Sequence, residues 1–465
     1  MKKINWIAFL CVAFATMFFN ACGDSVDADE QPVAEVDESS SSVKASSSVK
    51  GKSSSSSVMY SSSSVKSSSS KALYPESFKP DDKEYPYAGI PRIVIETEKR
   101  QAIKDRETEI PAKLQIWGKK EAESEIMDLT IRGRGNTSWK LMPKKSYKIE
   151  FTKKQSMLGM PNDKDWALIA NYVDKTLMRN YIAYRLSAAL GAYYAPRCEF
   201  AELYLNGEYL GVYLVTETIK ISKDRVNIPK DDYSYIVEVD GKYRSGEQVI
   251  FSDVLTTNNK GKAFRVHDPK NATASILDTV RNHIQNFEMY LKTIDVEKDN
   301  NVGEWIDVDE SIKHYWVQEL SKNPDAAFYT SVYFSWRKGE KIKMGPVWDF
   351  DLAFGNHYEE EYNLPEKWYI QIYWYQSLLK DDSYKHSVFE MWNDSRVLFE
   401  SVVDLVDMTY AKLKHVASNN FKRWNILGET EGMFNKSYDS YDDAVDDLKK
   451  WIKERMFWID SQMQN

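Results

Sequence analysis

Phe200-Ala-Glu-Leu-Tyr-Leu-Asn-Gly-Glu-Tyr-Leu-Gly-Val-Tyr-Leu-Val215 is the stretch on which the fold turns. Two apolar runs flank Asn206-Gly207, and because both residues tolerate positive φ this dipeptide is the strongest short-range hairpin signal. The pattern predicts paired antiparallel strands at 200–205 and 209–215. Upstream, residues 92–96, 113–117, 127–131 and 146–151 alternate apolar and polar side chains, the period of a half-buried strand. Downstream, residues 235–239, 248–251 and 262–266 add three more. Between the two groups a helix is expected from Asp174, as N-cap, to Leu190, with Leu177, Tyr181, Tyr184 and Ala188 on its inner face.

Past Asn271 the period changes. Helices are expected at 275–291 and 307–320, followed by a hairpin near Gly339 and a helical tail from Trp368 to Met463. A sheet-rich first part followed by a helix-rich second part argues an α+β fold with two lobes, and a ligand belongs in the cleft between them.

The composition, 42% hydrophobic and 28% charged over 465 residues, describes neither end of the chain. From Ser39 to Lys71 serine fills 20 of 33 positions, too little apolar surface for a core, so this stretch is expected to be a disordered linker. Ahead of it, Lys2 and Lys3 precede an apolar run from Ile7 to Phe19, the plan of an export signal over residues 1–21. That run is short for a permanent membrane span. Phe-Asn-Ala-Cys22 resembles the lipobox of a bacterial lipoprotein, which makes Cys22 the expected lipid anchor and residues 22–72 its tether. The folded part then divides into a domain at 73–360 and a helical extension at 361–465 packed on it. Loss of the leader removes Lys2 and Lys3 and no acid, leaving the chain more negative than its overall −8. Nucleic acid is excluded as a general partner, since phosphate neutralisation needs a basic footprint. With Cys11 in the leader, a disulfide framework is excluded as well, and Cys198 reads as a small buried hydrophobe.

Four segments carry polar residues that neither periodicity nor turn chemistry explains. Arg132-Gly-Arg-Gly-Asn-Thr-Ser-Trp139 and Pro143-Lys-Lys-Ser-Tyr-Lys148 combine glycines, which let backbone amides approach an anion, with Arg132, Arg134, Lys144, Lys145 and Lys148. The alternative is a basic hairpin edge. Glu217 ends an apolar strand, where it either caps a loop or orients a lysine or nucleotide. Asn323-Pro324 stops the helix at 307–320 and leaves Asp325 at the helix C-terminal end, where the dipole disfavours an acid and a general base or metal ligand has reason to stand. Asp349 and Asp351 stand two apart after a strand; in extended backbone their side chains point the same way, with about 7 Å between Cα atoms. Such a pair repels unless a cation joins it, and hard oxygen ligands select Mg²⁺, Mn²⁺ or Ca²⁺. The six histidines show no zinc spacing, and neither a Gly-x-Ser-x-Gly elbow nor a Walker loop occurs, so a zinc enzyme or serine hydrolase gains no support.

Taken in order, Arg132-Gly-Arg-Gly-Asn-Thr-Ser138 with Pro143-Lys-Lys-Ser-Tyr147, Leu168-Ile-Ala-Asn-Tyr-Val-Asp-Lys-Thr-Leu-Met-Arg-Asn180, Leu205-Asn-Gly-Glu-Tyr-Leu-Gly-Val-Tyr-Leu214 with Glu217, and Trp348-Asp-Phe-Asp-Leu-Ala-Phe-Gly355 resemble the CotH family of spore-coat-type kinases over roughly residues 90–360. The resemblance implies an atypical protein-kinase-like two-lobed fold that transfers the γ-phosphoryl of ATP, with Mg²⁺ or Mn²⁺, to Ser or Thr of an exported protein. It implies Lys145 as the phosphate lysine with Lys148 as its rival, Asp325 as the catalytic acid, Asp349 as the metal acid assisted by Asp351, and Glu217 in the nucleotide pocket. Family members carry an asparagine about five residues after the catalytic acid; here Thr330 stands there, as a metal ligand of weaker kind, followed by Ser331. The competing expectation is a pseudokinase or surface lipoprotein. There the bunched Trp368, Tyr369, Tyr373, Trp374 and Tyr375 hold a polysaccharide or a partner protein, since aromatic faces stack on sugars.

Overall fold

The computed structural model describes residues 73–75, 78–256, 261–295 and 300–463. The expected signal peptide, Cys22 and the serine-rich tether lie outside the described residues. No helix among the described residues is long and apolar enough to cross a membrane.

Seven strands close a barrel: β1 (Arg92–Thr97), β2 (Ile110–Trp117), β3 (Met127–Arg134), β4 (Ser146–Met157), β5 (Met160–Ile169), β6 (Cys198–Leu205) and β7 (Glu208–Glu217). Their order is β1-β2-β3-β4-β5-β7-β6. Neighbours run antiparallel except β1 and β6, whose parallel pairing shuts the ring. The sequence pattern predicted the hairpins but not the closure. Asn206 (φ 54°) and Gly207 (φ 83°) make the expected tight turn. The Asn206 side-chain oxygen also accepts from Thr97 N–H at 2.8 Å, and its own N–H donates to Ile95 at 2.8 Å, so the turn residue ties β6 to β1. β5 was not expected as a strand; it becomes one by burying Trp166 and Leu168 inside the barrel with Ile95, Leu114, Ile131 and Ile149.

A second sheet, in the order β12-β11-β8-β10-β9, uses β8 (Ser234–Val239), β9 (Ile250–Ser252), β10 (Lys262–Asp268), β11 (Val332–Arg337) and β12 (Lys343–Met344). Helices α1 (Thr137–Leu141) and α2 (Arg179–Ala189) fall within the barrel segment; α3 (Ala274–Leu291), α4 (Val308–Ser321), α5 (Trp374–Leu378), α6 (Asp382–Asp394), α7 (Arg396–Arg423) and α8 (Tyr441–Met463) follow. The architecture is α+β. Thr273 caps α3 and Asp307 caps α4 through their side-chain oxygens, as Thr and Asp do at helix starts.

Three sequence expectations change. First, α2 begins at Arg179 rather than after Asp174. Asp174 folds onto its own loop instead, accepting from the N–H groups of Thr176 (2.9 Å) and Arg179 (2.8 Å) and pairing with the Arg179 guanidinium at 2.5 Å. Ala188 is exposed, while Tyr181, Ile182, Ala183, Tyr184 and Leu186 are all buried, so the helix is covered nearly all round. Second, the helical tail is four helices joined by turns. Third, the aromatic cluster divides: Trp374 stacks on Phe264 and meets Phe287 edge-on, and both Trp374 and Tyr375 are 1% exposed, which leaves neither ring free to stack on a sugar, whereas Trp368, Tyr369 and Tyr373 are half-buried. Residues 361–463, expected as an added extension, share one apolar core with α2, α4 and the second sheet.

Candidate active site

A cleft of ≈780 Å³ is lined by Arg132, Arg134, Lys144, Asp325, Thr330, Asp349 and Asp351, among others. These seven residues, all named from sequence, therefore meet in one place. Lys145, Lys148 and Glu217 do not line it. The Lys145 ammonium donates to the Trp139 carbonyl at 2.6 Å, Lys148 bridges Glu150 and Asp165 at 2.8 Å each, and Glu217 accepts from the Tyr194 hydroxyl (3.1 Å) and from the Arg197 N–H and guanidinium. Each is satisfied by its own protein partners.

Like Lys242, Lys144, which stands beside Lys145 in sequence, lines the cleft. It is 1% exposed, donates to Val212 O at 2.5 Å and Asn420 Oδ1 at 3.0 Å, and lies 4.8 Å from the centre of the Tyr213 ring. No carboxylate pairs with it among the described residues, and burial pushes its ammonium well below the ordinary lysine range. Sequence could not single it out, because its acceptors lie 68 and 276 residues away.

The acids line the same cleft. Burial, then the charge of Asp349, raises the Asp325 carboxyl from its ordinary 3.8 to about 6, against the pull of Lys242. The Lys242 ammonium lies 3.2 Å from Asp325 Oδ1 and over the Tyr329 ring. Nothing in the turn Asp240-Gly-Lys242 pointed to this pairing beyond a charge at a strand end. Asp351 is pushed well up by burial and by the charges of Asp349, Asp325 and Asp174. Among the described residues, Lys242 is the one ammonium in direct contact with these three carboxylates, on Asp325.

Asp349 is not in extended backbone as expected; it has φ 66°, the left-handed region, a conformation costing on the order of 1 kcal/mol for a residue with a Cβ. Tertiary contacts hold it there. Asn323 donates to the Asp349 carbonyl at 3.0 Å while its own side-chain oxygen accepts from Asp325 N–H at 3.3 Å, so one amide locks both acid loops. Asn180 on α2 accepts from Phe350 N–H at 2.8 Å, and Arg179 donates to the Ala353 carbonyl at 3.1 Å. The Leu168–Asn180 motif thus fixes the acid loop from the other side of the chain. Ser331 donates to Asp349 Oδ2 at 3.4 Å, Thr330 N–H donates to the Asp325 carbonyl at 3.1 Å, and Arg134 stacks over Trp348 at 4.8 Å.

Among the described residues no three His, Cys, Asp or Glu side chains form a metal cage. The Asp349/Asp351 pair fits Mg²⁺ or Mn²⁺ in a more open way, since Mg²⁺ takes one or two carboxylates and completes its shell with water and phosphate oxygens. Burial first, then the charges of Asp349 and Asp325, raise the Asp351 carboxyl, and a cation held there would oppose that shift.

Comparison with known proteins identifies the family. The family model described as CotH kinase protein matches residues 131–459, which takes in the barrel from β3 onward, both acid loops and the helices after residue 360. The inner spore coat protein H of Bacillus subtilis (strain 168) is 23% identical over 344 residues, covering 72% of this chain and 86% of that protein. The chain belongs to the CotH kinase family.

Proposed function

We propose that this protein transfers the γ-phosphoryl of ATP to Ser or Thr hydroxyls of exported proteins. The observation that carries the reading is Asp325, its carboxyl raised to about 6 and paired with Lys242, in the same cleft as the Asp349/Asp351 pair and the cationic Arg132, Arg134 and Lys144. Phosphoryl transfer asks a protein mainly to position its substrates and to neutralise spreading charge. Asp325 accepts the hydrogen bond of the attacking hydroxyl and takes its proton, and Lys242 keeps it in the carboxylate form at neutral pH. Lys144, Arg132 and Arg134 bind the phosphates. Asp349 and Asp351 hold Mg²⁺ or Mn²⁺, assisted by the hydroxyls of Thr330 and Ser331; when bound, the cation offsets phosphate charge. The barrel and the helix-rich part act as the two lobes of an atypical kinase-like fold.

The purified chain with Mg²⁺ or Mn²⁺ and labelled ATP is expected to incorporate phosphate, and Asp325→Asn to lose at least about 10²-fold in rate. Absence of incorporation with either metal, together with no stabilisation by Mg-ATP, overturns the reading. One observation favours a pseudokinase instead: the hydroxyls of Thr330 and Ser331 stand where an amide ligand is expected. Stabilisation by Mg-ATP without transfer is its signature.

The export signal and Cys22 support an exported, membrane-anchored lipoprotein, at the periplasm or outer surface. Labelled palmitate entering the wild type but not Cys22→Ala tests this; equal labelling rejects it.

A further inference from the structure

A second groove, ≈1090 Å³, opens beside the cleft and shares Tyr329 with it. Its walls present large apolar side chains to solvent: Phe251 is 48% exposed, Tyr329 49%, Tyr243 42% and Ile372 36%. Phe251 sits on β9, the edge strand of the second sheet, with its ring edge-on to Tyr243 at 5.7 Å between centres. Exposed apolar residues scattered singly need no explanation, but four along one groove mark a binding surface.

The groove is built onto the candidate catalytic acid. Tyr329 N–H donates to the Asp325 carbonyl at 3.3 Å, and Gly241 N–H donates to the Tyr329 carbonyl at 2.7 Å, joining the end of β8 to the Asp325 loop. Lys242, the next residue, reaches Asp325 with its ammonium and covers the Tyr329 ring. The charged side chains in the lining, Asp253 and Lys262, are of opposite sign, unlike the arginine-rich cleft next door. A groove with exposed aromatic rings and no net charge, lying between a sheet edge and the Tyr329 it shares with the cleft, suits an extended polypeptide better than a nucleotide. A strand edge offers backbone hydrogen bonds, and alternate side chains find apolar contacts.

We propose that this groove docks the acceptor polypeptide as an extended segment carrying a bulky apolar side chain within a few residues of the phosphorylated Ser or Thr. The inference rests on the kinase reading and names its substrate class. Phe251 and Tyr243 line the groove and not the cleft, so changing them leaves the phosphate and metal sites intact.

The test uses the purified chain, Mg-ATP and serine peptides that carry Leu or Phe, or instead Gly or Asp, at each flanking position. The wild type is expected to favour apolar peptides about ten-fold in kcat/KM, the scale on which an apolar pocket discriminates. Phe251→Ala and Tyr243→Ala are each expected to raise the KM for an apolar peptide several-fold, leaving kcat and the KM for ATP unchanged, with Phe251→Leu restoring most of the loss. Equal kcat/KM for apolar and polar peptides, or unchanged peptide KM in both alanine variants, overturns the docking surface while the kinase reading stands. Transfer to no peptide overturns the docking surface, and if Mg-ATP also fails to stabilise the protein, the kinase reading falls with it.

Discussion

Arg455→Met removes the guanidinium that reaches Glu319 from α8 to α4. Both side chains are fully buried, 2.5 Å apart, and Arg455 also donates to the carbonyls of Pro365 (2.7 Å), Lys367 (2.8 Å) and Glu319 (2.9 Å). A buried carboxylate stripped of its cation costs about 3–5 kcal/mol. Glu319 keeps two backbone donors, Tyr369 N–H at 2.8 Å and Ile370 N–H at 2.7 Å, which places the expected loss at the lower end, about 3 kcal/mol. Burial already raises the Glu319 carboxyl above its ordinary 4.5, with Arg455 opposing; without Arg455 it rises further. A carboxyl raised in the folded state holds its proton there while the unfolded chain has lost it. Its destabilising effect is therefore full above the folded pKa and fades as pH falls toward 4.5. Urea unfolding followed by tryptophan fluorescence should show a larger deficit at pH 8 than at pH 5. The double variant Glu319→Gln, Arg455→Met, which buries no charge, should lose less than Arg455→Met alone. A loss under about 1 kcal/mol, or a loss equal at both pH values, refutes the reasoning.

Lys144→Met is expected to abolish the thermal shift given by Mg-ATP while changing the stability of the free protein by no more than about 1 kcal/mol, since it removes an unpaired buried cation; Lys145→Met should leave the shift intact. In metal-free protein, Asp325 titrates at about 6 in the fold against an ordinary 3.8, so its contribution to stability is lost as pH rises through that window. Asp325→Asn should accordingly stabilise the metal-free protein at pH 7.5 by about 3 kcal/mol, read as a raised melting temperature, and leave it near the wild-type value at pH 4. Gly211 has φ 90°, and a Cβ there would stand 2.5 Å from Asn420 Oδ1, the atom that accepts from both Lys144 and Val212. Gly211→Ala should cost about 2–3 kcal/mol and weaken nucleotide binding with it, read by thermal melting with and without Mg-ATP.

Local periodicity carried most of the strand and helix assignments, because alternation and capping are written in neighbouring residues. Thr273 and Asp307 cap where their residue types predict, and Asn206-Gly207 turns where it should. Asp174 misled for the same reason: it has the chemistry of a cap, yet Thr176 and Arg179 give its carboxylate a better set of donors. For the aromatic run at 368–375 a helix core is the favoured reading over a sugar-binding surface, and Phe264, Phe287 and Glu288, far off in sequence, bury Trp374 there.

The candidate site divides in the same way. The chemical types and order of Arg132, Arg134, Asp325, Asp349 and Asp351 were legible in the chain, since acids and cations placed against local propensity stand out without a structure. Which lysine faces them was not. Lys144 and Lys145 are neighbours, and the choice rests on Val212 from the barrel and Asn420 from the tail. By itself the sequence determined an α+β chain and picked out its charged candidate residues. Only tertiary structure closed the barrel, set Asp349 in left-handed backbone, brought Lys242 to Asp325 and drew the tail into the core, because each depends on contacts between residues that no local pattern links.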